Sequence, residues 1–282
     1  MCKPPEDQTV SMIISEAPVV RMEDLSGEYF LLGLEAPAQA ARTRPGHFYM
    51  LGVPAAGLSH DPLLNRPISA MDVRPGPDGA PAEILFLVKK VGRGTRLMGG
   101  LRPGERLLCH GPLGRPFPDP PAGARLALVG GGVGIAPLYC CARAWGRTTG
   151  MTLFYGGRTA AELPLAGAFQ DMGIRAERLA TEDGSLGELG LVTTPFQDFL
   201  NQNEVDLIYT CGPNPMMEAV FRIAAAKEIP VWVSMENRMG CGLGACLGCA
   251  IPVLTDGGTA MLRVCREGPV FDGRTIAWTG LR

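Results

Sequence analysis

The chain has 282 residues, of which 46% are hydrophobic and 19% charged, and its formal net charge is −2. That length suits two domains with a small third. The charge leaves no basic footprint for nucleic acid, and no run of eighteen apolar residues provides a transmembrane helix. The 38 glycines and 25 prolines follow no period, which excludes a collagen-like chain. Nine cysteines without a secretory signal at the start fit a reducing compartment, so a soluble, cytoplasmic protein with no membrane partner is expected.

Residues 1–9 are polar and read as a loose end. Apolar or alternating runs follow at 10–20, 29–34, 48–53, 84–88 and 106–109, separated by Gly, Pro and Asp, which argues for an antiparallel barrel. Two stretches in it carry chemistry. In Arg66-Pro67-Ile68-Ser69 the arginine can clamp a phosphate, and the serine can reach a flavin edge. Leu87-Val88-Lys89 ends a strand and runs on to Gly92-Arg93-Gly94-Thr95, where a helical turn through Arg96, Leu97 and Met98 can begin and offer N–H groups to an anion. Each alone reads equally well as an ordinary strand start or glycine turn. Together they suggest one dinucleotide held at both ends. Residues 115–121 hold four prolines and read as a linker.

The second unit, residues 122–235, opens with a buried-type strand at 125–129. The glycines Gly130, Gly131, Gly132 and Gly134 and a helix over 138–145 follow. Pro137 stands where the usual third glycine would be, which a first helical turn tolerates. Strands at 152–155, 174–179, 205–210 and 231–234, with a helix over 216–227, imply a parallel sheet with ligand loops at its carboxyl ends. A dinucleotide is expected across them. One such loop holds Cys211 and Gly212, the cysteine reading equally as a buried small residue. Arg158 is a possible contact to a 2′-phosphate, but the sequence does not decide between NADH and NADPH.

The third unit, residues 236–282, contains Cys241, Cys246 and Cys249 at C-x4-C-x2-C spacing, with Cys265 after them. This is the plant-type 2Fe–2S pattern, in which four thiolates hold two irons. Gly242, Gly244 and Gly248 remove Cβ atoms where the backbone must wrap closely. Zinc would favour two C-x2-C pairs, and only one is present. A hairpin of 250–254 with 261–264 would return Cys265 to the other three, and the tail 266–273 would cap it. His47, His60 and His110 show no ligand spacing and read as structural or exposed.

R-P-x-S followed by G-x-G-T, in a barrel preceding a nucleotide unit, resembles the ferredoxin-reductase superfamily. The resemblance implies FAD along Arg66, Pro67, Ile68 and Ser69 and along Leu87, Val88 and Lys89, with its pyrophosphate at Gly94 and Thr95. It implies NAD at Gly131, Gly132 and Gly134, with Cys211 and Gly212 near the nicotinamide. E-x-R-M-x-C-G-x-G-A-C-x-G-C and V-C-x-x-G-P-V-F, with T-x-D-G-S-x-G and C-G-P-x-P-M-M, closely resemble the electron-transfer subunits of class 1B dihydroorotate dehydrogenases over nearly the whole chain. His47 departs from that family's usual glutamine.

The fold class expected is therefore a multidomain α+β and α/β chain. It has an antiparallel β-barrel flavin domain over 1–121, a parallel-sheet NAD domain over 122–235 and a small 2Fe–2S domain over 236–282. Nicotinamide gives up two electrons as hydride and a 2Fe–2S cluster takes one, so flavin belongs between them. No site for an organic substrate is apparent. The resemblance supplies an FMN-containing catalytic partner that oxidises dihydroorotate, in a heterotetramer of two plus two subunits. A subunit of sulfide dehydrogenase or of NADH-dependent ferredoxin:NADP oxidoreductase, a stand-alone flavin reductase and a metal-stabilised scaffold remain as alternatives.

Overall fold

The computed structural model describes residues 12–53 and 61–281; His60 lies outside them. Six strands close an antiparallel barrel in the order β1-β2-β5-β4-β3-β6. They are β1 (Ile13–Asp24), β2 (Tyr29–Glu35), β3 (Phe48–Gly52), β4 (Arg66–Pro75), β5 (Pro81–Lys89) and β6 (Arg106–Leu113). Helix α1 (Pro37–Ala40) packs on β5, and α2 (Arg93–Met98) follows it. β4 is a strand that alternation in the sequence does not mark. Pro67 and Pro75 each lack an N–H, and Asp72 interrupts the apolar face. The Asp72 carboxylate is buried all the same, accepting from the Val73 N–H and facing Arg143 at 3.4 Å and Arg74 at 3.6 Å. A buried charge held by three partners ties the barrel to the next unit.

That unit is a sheet in the order β10-β9-β8-β7-β11-β12-β15, the last strand being Val270–Asp272. Its strands are β7 (Leu126–Gly131), β8 (Thr152–Gly157), β9 (Ala176–Thr181), β10 (Glu188–Leu189), β11 (Leu207–Cys211) and β12 (Val231–Ser234). Helices α3 (Ile135–Trp145), α4 (Thr193–Gln202) and α5 (Asn214–Ala225) cover it. All six strands of β7 to β12 pair in parallel. The central β7 is buried at every position, which explains its continuous apolar run. The strand order reverses between β7 and β11, and in open parallel sheets ligands sit outside the carboxyl ends at such a point.

The hairpin of β13 (Ala250–Thr255) and β14 (Gly258–Arg263) stands beside the cysteine loop. The tail does more than cap it. β15 (Val270–Asp272) adds antiparallel to β12, so residues 270–272 complete the nucleotide sheet. Phe48, Met50 and Leu113 of the barrel, Val231 and Val233 of the sheet, and Cys249, Ile251 and Cys265 share one core. Among the described residues no helix is long and apolar enough to cross a membrane.

The histidines reached by the structure are buried, His47 at 1% exposure and His110 at 6%. His47 Nδ1 accepts from the Arg44 N–H at 3.0 Å. Burial, with Arg44 nearby, pushes its pKa down to about 4. The unfolded chain binds this proton near pH 6.5 and the folded chain only near 4. Stability from the neutral imidazole is thus complete above pH 6.5 and lost as pH falls toward 4. Between pH 7.5 and 5 the native protein should lose about 2 kcal/mol more than the His47→Gln variant. Urea midpoints at the two pH values measure this, and identical shifts for both proteins would refute it.

Candidate functional site

The two phosphate-type stretches of the barrel meet in space. Arg66 begins β4 and Gly94 lies in α2. A Cβ on Gly94 would stand 2.1 Å from Arg66 Nε, so the guanidinium lies directly against the Gly94 backbone. Helix α2 begins one turn earlier than the sequence suggests, which places Gly94 and Thr95 inside it. Thr95 Oγ1 accepts from the Gly92 N–H and donates to the Gly92 carbonyl, both at 3.1 Å. Pro67, Ile68 and Ser69 pair with Met50, Tyr49 and Phe48 of β3. Leu87 and Val88 point to opposite cores, so what they offer a ligand is backbone. Arginine, an α2 glycine and a threonine at one place form a donor set suited to a nucleotide pyrophosphate.

At the switch point of the sheet lies a cleft of about 600 Å³. Gly131, Gly132 and Gly134 line it from the end of β7, and Gly212 to Met216 line it from the end of β11. The close approach of the two loops explains the glycines. A Cβ on Gly134 would lie 2.6 Å from the Cys211 carbonyl oxygen, and one on Gly131 2.8 Å from Pro213 Cδ. Cys211 itself is fully buried behind Gly212. Burial, with Glu236 nearby, pushes its thiol well above the usual range, so it stays protonated.

Two lining residues carry no local sequence signal, Tyr29 and Glu162, and Glu236, which opens the cysteine motif, lines the cleft as well. The Tyr29 hydroxyl is buried without a hydrogen-bond partner and faces Gly132. Lys89 Nζ lies 5.2 Å over its ring. An orphaned hydroxyl at the glycine loop is a polar atom that a bound ligand would satisfy.

The cysteine loop folds by left-handed backbone, with φ +72° at Gly242 and +79° at Gly244. A Cβ on Gly242 would also strike Met50 Cγ at 2.4 Å. The thiols stand as two pairs. Cys249 Sγ and Cys265 Sγ are 3.2 Å apart and buried, brought together by the β13–β14 hairpin. Cys241 and Cys246 face outward, the first half-buried and the second exposed. Gly244 N–H donates to Cys265 Sγ at 3.0 Å, and Leu243 and Cys246 N–H donate to Cys241 Sγ at 3.3 and 3.4 Å. Burial pushes the Cys241 thiol up, but the N–H groups aimed at it outweigh this and bring it down to about 6. Burial and the neighbouring Cys249 raise Cys265 to about 12. Among the described residues no three His, Cys, Asp or Glu side chains converge as for a single ion. Two thiol pairs ringed by backbone donors suit two irons, each taking two thiolates.

Leu247 is one of two described non-glycine residues with positive φ, at 59°. It is 62% exposed, and Leu243 beside it is 41% exposed. An apolar residue with left-handed backbone thus stands exposed beside the outer thiol pair.

Residues 236–277 match the iron–sulfur cluster binding domain of dihydroorotate dehydrogenase B, and residues 128–222 match an oxidoreductase NAD-binding domain. The dihydroorotate dehydrogenase B (NAD(+)) electron transfer subunit of Desulforamulus reducens is 35% identical, over 94% of this chain and 98% of its own. That of Geobacillus thermodenitrificans is 36% identical, over 90% and 94%. Among solved structures, an NADH-dependent reduced ferredoxin-NADP oxidoreductase aligns with a TM-score of 0.80 at 27% identity, covering 95% of this chain and 91% of that one. A ferredoxin reductase of carbazole 1,9a-dioxygenase aligns with a TM-score of 0.64 at 26% identity, covering 79% and 68%. With 35% and 36% identity to two such subunits over 94% and 90% of its length, the chain belongs to the dihydroorotate dehydrogenase B (NAD(+)) electron-transfer subunit family.

Proposed function

We propose that this chain carries electrons from the FMN of a catalytic dihydroorotate dehydrogenase partner, by way of a 2Fe–2S cluster and FAD, to NAD+ in pyrimidine biosynthesis. The observation that carries the reading is a buried thiol pair beside two outer cysteines in one glycine-rich loop, joined through one continuous core to a cleft at the sheet's switch point. Bound FAD supplies the exchange between hydride pairs and single electrons that neither neighbour can make.

The chain's own residues do the holding. Arg66, Gly94 and Thr95 take the flavin's phosphates. The backbone of Pro67, Ile68 and Ser69, and of Leu87, Val88 and Lys89, would hold its flavin end. Gly131, Gly132, Gly134 and Gly212 admit NAD to the cleft, and the buried Cys211 backs its nicotinamide end. Cys241, Cys246, Cys249 and Cys265 hold the cluster. Their N–H neighbours stabilise the thiolates, and the core around Cys249 and Cys265 keeps water from that side. The working assembly is a cytoplasmic heterotetramer of two catalytic and two electron-transfer subunits.

The partner meets the outer thiol pair. Leu247→Glu should weaken co-purification with the catalytic subunit by at least about tenfold, since a charge would be desolvated against it. Iron content should stay at the native level. Undiminished co-purification would remove this edge from the interface. A second reading, a subunit of a related NADH-dependent ferredoxin:NADP oxidoreductase, is favoured by the end-to-end structural likeness. It ranks lower because the sequence identity there is 27% against 35% and 36% for the dihydroorotate-linked relatives.

A further inference from the structure

Among the described residues, the cations lining the nucleotide cleft are Lys89 and Arg158, and the same carboxylate engages both. Glu162 Oε1 accepts from Lys89 Nζ at 3.0 Å and from Arg158 Nε at 3.1 Å. It also accepts from Arg158 Nη2, while Oε2 takes the Arg158 backbone N–H at 3.1 Å. The Glu162 side chain is 14% exposed, against 70% for Arg158. Lys89 reaches it from the barrel and Arg158 from the end of β8, so the carboxylate is clamped from two units. The hydrogen-bonded Arg158 guanidinium outweighs burial and holds Glu162 ionised far below neutrality, with a pKa of about 2.

The position matters for the nucleotide. Arg158 is the first residue past β8, the strand next to β7 and its glycine loop. In doubly wound sheets a residue there, roughly twenty positions past the glycines, reads the adenosine ribose: an acid accepts from a 2′-hydroxyl, whereas an arginine accommodates a 2′-phosphate. This chain has the arginine, but the Nε–Nη2 edge of its guanidinium is already engaged by Glu162. Some of the loop's backbone donors are spent as well. Ala160 N–H donates to Ser185 Oγ, and Glu162 N–H donates to the Thr159 carbonyl. Glu182 and Glu236 add two further carboxylates to the same cleft.

We propose that Glu162 makes the cleft selective for NAD over NADP, by engaging the Nε–Nη2 edge of the guanidinium that a 2′-phosphate would need and placing fixed negative charge beside it. This rests on the cleft being the NAD site. Selectivity here comes from a built-in repulsive element as much as from a missing attractive one.

The test uses the flavin- and cluster-loaded chain with a dye as electron acceptor, and NADH and NADPH as donors. Glu162→Gln should raise the NADPH to NADH ratio of kcat/KM by at least about tenfold. Calorimetry should show adenosine 2′,5′-bisphosphate binding tighter by at least about tenfold in the same variant, with ADP moving far less. The double variant Glu162→Gln, Arg158→Gln should lose both gains. A chain that oxidises NADH, yet shows no change in ratio or in bisphosphate affinity on Glu162→Gln, overturns the proposal alone. Gains that persist without Arg158 overturn it too. A native chain that binds neither ADP nor NADH overturns the cleft assignment, and the proposal with it.

Discussion

Cys265→Ala should empty the cluster site, taking iron from about two atoms per chain to a small fraction of that. The position is 3% exposed and its Sγ lies 3.2 Å from Cys249 Sγ, so solvent has little access to take the thiolate's place. Electron passage between NADH and the catalytic subunit should fall to background, because the flavin loses its one-electron outlet. Reduction of a small dye by NADH should survive, since the flavin stretches and the nucleotide cleft lie elsewhere. Cys140→Ala is the control. Cys140 is also a buried thiol, but it sits in α3 and should leave iron unchanged. Iron assay and single-turnover reduction of the complex read both results. A Cys265→Ala chain with full iron would remove this residue from the ligand set.

The second large effect is expected at the glycine loop. In Gly134→Ala the new Cβ would sit 2.6 Å from the Cys211 carbonyl oxygen, 2.7 Å from its carbon and 2.8 Å from Gly212 Cα. All three are backbone atoms of the facing loop, so no side-chain rotation relieves the contact. The two loops that form the cleft must move apart. NADH affinity should drop by about a hundredfold, equivalent to about 2.7 kcal/mol. Flavin and iron content should remain, because the barrel and the cysteine loop do not depend on that contact. Gly257→Ala has open space around the new methyl and should behave as the native protein. Calorimetric titration with NADH distinguishes them, and native affinity in Gly134→Ala would show that the nucleotide binds elsewhere.

What could be read before folding follows from how local each signal is. The cysteine ladder is a short-range pattern. Cys265 does return to Cys249, because the hairpin between them is itself marked by Asp256-Gly257-Gly258 between two apolar runs. β7 and its glycines were legible for the same reason. β4 was not, since Pro67, Asp72 and Pro75 break its alternation and only tertiary partners for Asp72 make burial tolerable. Helix α4 was missed because Thr193 and Thr194 open it and only Pro195, Phe196 and Leu200 are buried. β15 spans three residues and owes its existence to the exposed edge of β12, not to its own pattern. The Tyr29, Lys89 and Glu162 constellation joins positions on β2, on β5 and just after β8. No window of sequence could have brought these three together.

The central claim is that electrons from dihydroorotate reach NAD+ through this chain. The direct measurement is the visible spectrum of the purified complex with the catalytic subunit, taken without oxygen as dihydroorotate and then NAD+ are added. The account predicts that flavin and iron–sulfur bands bleach with dihydroorotate and recover with NAD+. Bands that bleach with NADH but ignore dihydroorotate would contradict it, leaving a reductase of the same architecture serving another donor.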